Sequence, residues 1–245
     1  MLLGLGHAHM NHFVVRKIPP APKGPFVEAL CALGVATVHE AQGRSGLMRP
    51  TMRPLFDGAV AAGRAVTVLA PPGDNWMIHV ALELCEPGDI LVVGCISPST
   101  DGMVGDLIAT LMQAKGLAGL VIDAGCRDVR LIREMGLPIW STAISAQGTV
   151  KASPGSVNVP VTCAGVHVFP GDIVLGDDDG VVVIPHARLD VVMEAARVRA
   201  AREEQARLRM AAGGPALGAT APMLAQLESL GVTWVDTLEQ ANGHE

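Results

Sequence analysis

Two short stretches of this 245-residue chain carry residue types that can do chemistry together, Gly105-Asp106-Leu107-Ile108 and Asp123-Ala124-Gly125-Cys126-Arg127-Asp128. Gly105 leaves room for a ligand close to the backbone. A helix beginning there points free N–H groups at a carboxylate or phosphate. Arg127 can grip a carboxylate or oxyanion with two parallel hydrogen bonds, while Asp128 can hold a hard cation such as Mg²⁺ or Mn²⁺. The same residues have plainer uses: Asp106 is a good helix N-cap, Asp128 suits a first helical turn, and Arg127 suits an open surface. Spacing alone leaves both readings open.

Other candidates are weaker. Asp177-Asp178-Asp179-Gly180 has the composition of a solvated hairpin turn. His39 and His79 each sit in an apolar helical pattern with no second histidine at ligand spacing, and read as packing residues. His7, His9 and His12 cluster on an N-terminal tail. No Gly-x-Ser-x-Gly, Walker A, dinucleotide fingerprint or His-Glu-x-x-His occurs. The five cysteines never form Cys-x-x-Cys and lie mostly in apolar surroundings. They read as buried thiols of a reducing, cytoplasmic compartment. Lys151 shows no feature of a Schiff-base lysine beyond its amine.

The elements that must position these residues follow from turn and periodicity signals. Residues 1–24 read as an irregular N-terminal arm ending in Ile18-Pro19-Pro20-Ala21-Pro22, with Met10 a second candidate start and residues 1–9 then an extension. A helix is expected over 26–33, and Thr37-Val38-His39-Glu40 has the spacing of a capping box opening another. Alternation over 58–68 predicts a strand, and Asp74 or Asn75 then caps a helix to Leu84. Pro-Gly-Asp-Ile occurs twice, at 87–90 and 170–173, each time as a type II turn feeding an apolar strand. Between the copies, helices are expected over 106–114 and 128–135 and strands over 117–123 and 138–140. Leu117–Asp123 thereby delivers Arg127 and Asp128 to the carboxyl end of a strand, where α/β sheets bind ligands. Asp177–Gly180 closes a hairpin. The sum is an α/β layered domain with a mixed sheet over about 25–188. Beyond Pro185 comes a helical C-terminal arm, 189–245, in which five arginines of 197–209 face Glu194, Glu203 and Glu204. It is expected to pack on a neighbouring subunit.

Composition narrows the classes. Hydrophobic residues make up 49% and the net charge is −6, so the chain can bury a core and is not a disordered chain. With 3% aromatic residues and an acidic balance, base stacking and phosphate tracking are not expected, and nucleic acid is not an expected partner. The longest uncharged run, 152–171, contains three prolines, so no membrane span is expected; the first residues make a poor signal peptide.

At these residues the chain resembles the class II pyruvate aldolases of the RraA-like fold. These cleave 4-hydroxy-4-methyl-2-oxoglutarate and 4-carboxy-4-hydroxy-2-oxoadipate in the protocatechuate 4,5-cleavage and gallate pathways of aromatic-acid catabolism. The likeness covers about 33–210. It rests on Gly34-Val35-Ala36-Thr37-Val38-His39-Glu40-Ala41-Gln42-Gly43-Arg44, Ala70-Pro71-Pro72-Gly73-Asp74-Asn75-Trp76-Met77, Gly105-Asp106-Leu107, Leu120-Val121-Ile122-Asp123-Ala124-Gly125 with Arg127-Asp128, Ala146-Gln147-Gly148-Thr149-Val150-Lys151, and Gly155-Ser156-Val157-Asn158-Val159-Pro160. Asp106 and Arg127-Asp128 are separated by twenty residues, the spacing of the aldolases rather than of the ribonuclease regulators that share the fold.

The resemblance implies a layered α/β/β sandwich of the swivelling-domain type, assembled as a trimer or hexamer with sites between subunits. It implies Asp128 as the direct protein ligand of Mg²⁺ or Mn²⁺, the backbone of Gly105, Asp106, Leu107 and Ile108 as the binder of the pyruvyl carboxylate, and Arg127 as the stabiliser of an enolate oxygen. Asp106 would handle the water that takes the C4 hydroxyl proton, and Glu203 (or its neighbour Glu204) would enter from an adjacent subunit. Oxaloacetate decarboxylation is an expected side activity. In Trp140-Ser141-Thr142-Ala143-Ile144 relatives carry Arg in place of Thr142, leaving Arg44, Arg130 and Lys151 as candidate replacement cations for a substrate carboxylate. Two alternatives stand beside the aldolase: a non-catalytic regulator that binds a protein partner, and a dedicated oxaloacetate decarboxylase.

Overall fold

A computed structural model describes residues 11–242. The candidate extension 1–9 with His7 and His9, the second start Met10, and the last three residues lie outside the described residues. The described residues form two compact units, divided between Arg197 and Val198.

The first unit opens with an arm whose backbone runs beside a later strand: the Val157 N–H donates to the Phe13 carbonyl and the Val15 N–H to the Val157 carbonyl, at 2.8 and 3.0 Å. Helix α1 follows (Gly24–Ala41), broken at Gly34, where φ is 77°. Here the structure corrects the expectation of a capping box at Thr37. The second half of α1 starts at Val35, whose N–H is satisfied by Asp177 Oδ2 at 2.8 Å, so Thr37 and Glu40 lie inside the helix. A distant carboxylate replaces the local cap.

The remaining elements run β1 (Arg53–Pro54), β2 (Ala61–Ala70), α2 (Trp76–Leu82), β3 (Ile90–Cys95), β4 (Gly102–Val104), α3 (Asp106–Ala114), β5 (Gly119–Cys126), α4 (Val129–Met135) and β6 (Ile139–Ile144). They continue with β7 (Ser156–Val157), β8 (Val161–Cys163), β9 (Val166–Val168), β10 (Ile173–Asp177), β11 (Gly180–Ile184) and α5 (Leu189–Ala211). Both Pro-Gly-Asp-Ile copies do feed strands, β3 and β10. The main sheet has the order β1-β6-β5-β3-β2-β10-β11, parallel from β2 to β6 and antiparallel at both ends. It nearly closes on itself: the Trp140 indole N–H on β6 donates to the Asp177 carbonyl at 2.9 Å, and Arg53 on β1 donates to the Asp178 and Asp179 carbonyls.

Alternation along the central strands sends side chains to two cores. On one face, Val66, Val68, Leu91, Val93, Leu120 and Ile122 pack under α2, α3 and α4. On the other, Val92, Val121, Trp140, Val174 and Val181 pack with the β8–β9 hairpin. A third cluster joins α1 and the first turns of α5 to β10 and β11. This is the layered mixed α/β architecture expected, with helices at the C-terminal end.

The second unit contains the rest of α5, α6 (Ala221–Ser229) and α7 (Leu238–Asn242). Its residues are mostly exposed. No helix of the described residues is long and apolar enough to cross a membrane.

Candidate functional site

Parallel β5 carries its backbone to Cys126, so Arg127 and Asp128 emerge at its carboxyl end as predicted. Beside it β4 leads into Gly105, the N-cap of α3, whose first residue is Asp106. The pairing of β4 with β5 and the bond from the Arg127 N–H to the Val104 carbonyl (2.9 Å) bring the two stretches together. The Asp106 N–H donates to Asp128 Oδ2 at 3.2 Å, and Arg127 Nε lies 3.5 Å from the same oxygen.

Two local conditions make this possible. Asp128 adopts a left-handed backbone (φ 56°), uncommon for a residue with a side chain, as the residue preceding α4. Such strain is tolerated where the surroundings fix it and clusters at functional sites. Gly105 leaves the two side chains room to meet: a Cβ there would lie 2.3 Å from Asp128 Oδ2 and 2.9 Å from Arg127 Nε, and both would have to shift.

Two adjoining cavities share Asp106 and Arg127. The inner one also touches Asn75, His79, Gly105, Leu107, Ile108 and Lys151. The outer one, more open, is bounded by Asp128, Val129 and Ile144–Ala146. The structure thus gathers Gly105, Asp106, Leu107, Ile108, Arg127 and Asp128 in one cleft. Glu203 belongs to the second unit, where it pairs with Arg199 one helical turn away at 2.7 Å; Glu204 pairs with Arg207.

The cleft also enlists residues that sequence patterning passed over. His79, read as a packing residue, lines the inner cavity, and its buried Nε2 has no hydrogen-bond partner among the described residues. Burial, then the nearby Lys151 ammonium, lowers its pKa, favouring the neutral ring. Asn75 donates through Nδ2 to the Met103 carbonyl at 2.9 Å and leaves its buried Oδ1 likewise unpartnered. Both lie on one side of α2, one turn apart. Of the three candidate replacement cations, Lys151 alone lines the cleft; Arg44 is paired with Glu40 and Arg130 with Glu134, each along its own helix or turn. Thr142 donates to the Ala124 carbonyl at 3.3 Å.

Other candidates take structural roles. In the aspartate run, Asp177 accepts N–H bonds from Val35 and Asp179, and Asp178 accepts one from Gly58. No group of three or more His, Cys, Asp or Glu side chains among the described residues can hold a metal. The donor set therefore offers one or two hard carboxylates and open space for water and substrate. That fits Mg²⁺ or Mn²⁺, which keep several waters, and does not fit a structural zinc site.

Comparison with known proteins gives the family. The family model described as RraA-like, aldolase/RraA, matches residues 33–183. The chain belongs to the RraA-like family. A Halalkalibacterium halodurans protein provisionally named 4-hydroxy-4-methyl-2-oxoglutarate aldolase is 33% identical over 63% of this chain and 73% of its own length. A Burkholderia multivorans protein with the same provisional name is 33% identical over 58% of this chain and 87% of its own. Among solved RraA-like structures, Streptomyces coelicolor RraAS2, described as an unusual member of the RNase ES inhibitor RraA protein family, superposes with a TM-score of 0.67. It is 33% identical, over 77% of this chain and 99% of its own.

Proposed function

We propose that the chain is a divalent-metal-dependent lyase that performs retro-aldol cleavage of 4-hydroxy-4-methyl-2-oxoglutarate to two pyruvates, of 4-carboxy-4-hydroxy-2-oxoadipate to oxaloacetate and pyruvate, or of both. The observation that carries this reading is the meeting of Asp106, Arg127 and the strained Asp128 around Gly105 in one cleft. The provisional names of the two curated relatives support it.

Asp128 would hold Mg²⁺ or Mn²⁺. When bound, the ion supplies Lewis-acid polarisation of the substrate's 2-oxo group. The Leu107 and Ile108 N–H groups opening α3, beside the Asp106 N–H held by Asp128, receive the pyruvyl carboxylate, where the helix end favours negative charge. Arg127 faces the 2-oxo oxygen and stabilises the charge that develops there. Asp106 orients a water that takes the C4 hydroxyl proton. The C4 oxygen then becomes a carbonyl, the C3–C4 bond breaks, and its electrons enter the C2–C3 enolate, which takes a proton at C3 to give pyruvate. A positioned acid or base of this kind is worth about 10²–10⁴ in rate. Loss of CO₂ from oxaloacetate yields the same enolate, so decarboxylation belongs to the same machinery. In this reading Glu203 serves the cleft of a neighbouring subunit in a homohexamer or trimer, and the enzyme works in cytoplasmic aromatic-acid catabolism.

The likeness to RraAS2 favours a second reading, a non-catalytic regulator that binds a protein partner. A coupled assay of pyruvate release separates the two. The two aldols and oxaloacetate are supplied with Mg²⁺ and with excess chelator, to wild type and Asp128→Ala. Metal-dependent aldol cleavage that the variant loses is expected. Turnover of oxaloacetate alone identifies a decarboxylase. No turnover by folded, metal-supplied protein rejects the enzyme reading and favours the regulator.

A further inference from the structure

The cleft is completed by a strap, residues 147–153, that crosses from the end of β6 toward β7 and carries Lys151 to the inner cavity. Little in the strap itself fixes this course, since 151–153 are exposed and lie outside regular structure. Its anchor is Asp74, just before α2 and only 2% exposed. Asp74 Oδ2 accepts the N–H groups of Ala152 and Ser153, both at 2.7 Å, and Oδ1 accepts the Trp76 N–H at 2.9 Å. Main-chain bonds complete the seam: Val150 N–H to Gly73 carbonyl at 3.0 Å, and Asn75 N–H to Val150 carbonyl at 3.2 Å.

A buried carboxylate is costly unless its charge is met. No cationic side chain among the described residues forms an ion pair with Asp74 within 4 Å; three N–H groups meet its charge, two of them from the strap, and the Lys151 ammonium adds to them from farther off. The bonds therefore tie a loop distant in sequence to the helix that presents Asn75 and His79.

We propose that Asp74 is a positioning residue of the cleft: it clamps the strap to the start of α2 and so holds Lys151 over the inner cavity as the cation for the substrate carboxylate remote from the metal. This rests on the retro-aldolase reading above. Lys151 then supplies the positive charge that Thr142 cannot, and Asp74 acts only through it.

The test is a double-mutant cycle on metal-loaded full-length protein, with 4-hydroxy-4-methyl-2-oxoglutarate as substrate. Asp74→Asn keeps the side chain's shape but sets an amide against the strap N–H groups. Asp74→Asn and Lys151→Ala are each expected to lower kcat/KM by about tenfold to a hundredfold, mainly through KM, the range of a hydrogen bond to a charged group. Asp74→Asn in the Lys151→Ala background is expected to add little, because the residue it positions is gone. Amide hydrogen exchange should show Ala152 and Ser153 losing protection while β2 and β3 keep theirs. Full additivity of the two losses, or a loss confined to thermal stability with KM unchanged, overturns the positioning role alone. A wild type that cleaves no aldol overturns the retro-aldolase reading first, and this proposal with it.

Discussion

Asp128 Oδ2 receives both the Asp106 N–H, at 3.2 Å, and the approach of Arg127 Nε, at 3.5 Å. One carboxylate oxygen thus joins the start of α3 to the end of β5. The geometry leaves no space for a methyl group at Gly105. Gly105→Ala should preserve the fold, since its φ of −130° suits any residue, yet displace Asp128. We expect kcat/KM to fall by about a hundredfold and Mg²⁺ affinity to weaken, as for other ångström-scale misplacements at an active site. Titration calorimetry with the metal alone and a pyruvate assay check this; unchanged metal affinity would refute it.

Arg64 and Asp89 form the most deeply buried ion pair among the described residues, with Arg64 Nε 2.8 Å from Asp89 Oδ1 and Nη2 2.9 Å from Oδ2. Removing Arg64 strands the Asp89 charge, and removing Asp89 leaves Arg64 only the exposed Glu86, at 2.8 Å. Asp89→Ala and Arg64→Ala should each cost about 3–5 kcal/mol in urea unfolding, whereas replacing both by apolar residues should cost less than the sum. A change below 1 kcal/mol for either single variant, about the worth of an exposed pair, contradicts this.

His79 sets one limb of the stability–pH curve. Burial, then Lys151, lowers its pKa, so the unfolded chain takes up a proton on this ring at a higher pH than the native protein does. Stability should be at its plateau above the unfolded value of about 6.5 and fall as pH drops below it. His79→Gln should flatten that limb. Urea midpoints between about pH 5 and 8 provide the measurement; a wild-type curve no steeper than the variant's would be the contrary result.

Burial pushes the thiols of Cys85, Cys95 and Cys126 up to about 12, raises Cys163 well above its usual value, and raises Cys31. At pH 8 the thiolate fractions of Cys85, Cys95, Cys126 and Cys163 are minute, and the thiolate is the reactive form. Native protein should therefore react with a disulfide reagent far more slowly than denatured protein, in which all five label. A fast native phase would identify a thiol that the fold does not protect.

The sequence was most legible where a signal was local. The Pro-Gly-Asp-Ile turns, the helix over 106–114 and the strand delivering Arg127–Asp128 each depend on neighbours in the chain, and each stands where expected. What escaped depends on partners far away. Thr37 and Glu40 have the right spacing for a cap, but Asp177, 142 residues from Val35, supplies the cap two positions earlier. His79 and Lys151 look unremarkable until the seam between Gly73–Asn75 and Val150 brings them to one cavity. The short strands β4, β8 and β9 are too brief for alternation to declare them, and exist through pairing.

The two Pro-Gly-Asp-Ile copies finish on opposite sides of one strand: Ile90 pairs with Ala65 and Ile173 with Arg64, adjacent positions of β2. The first contact closes a short loop, and the second must wait for a far longer one. Long-range strand pairing slows folding, because the entropy of closure is lost before the contacts repay it. During synthesis β2 and β3 can meet early, but on its other side β2 stays open over Ala61–Arg64 until β10 has left the ribosome, β7 covering only Val68 and Leu69. Until then the nascent chain presents an apolar strand edge, the kind of surface that chaperones cover.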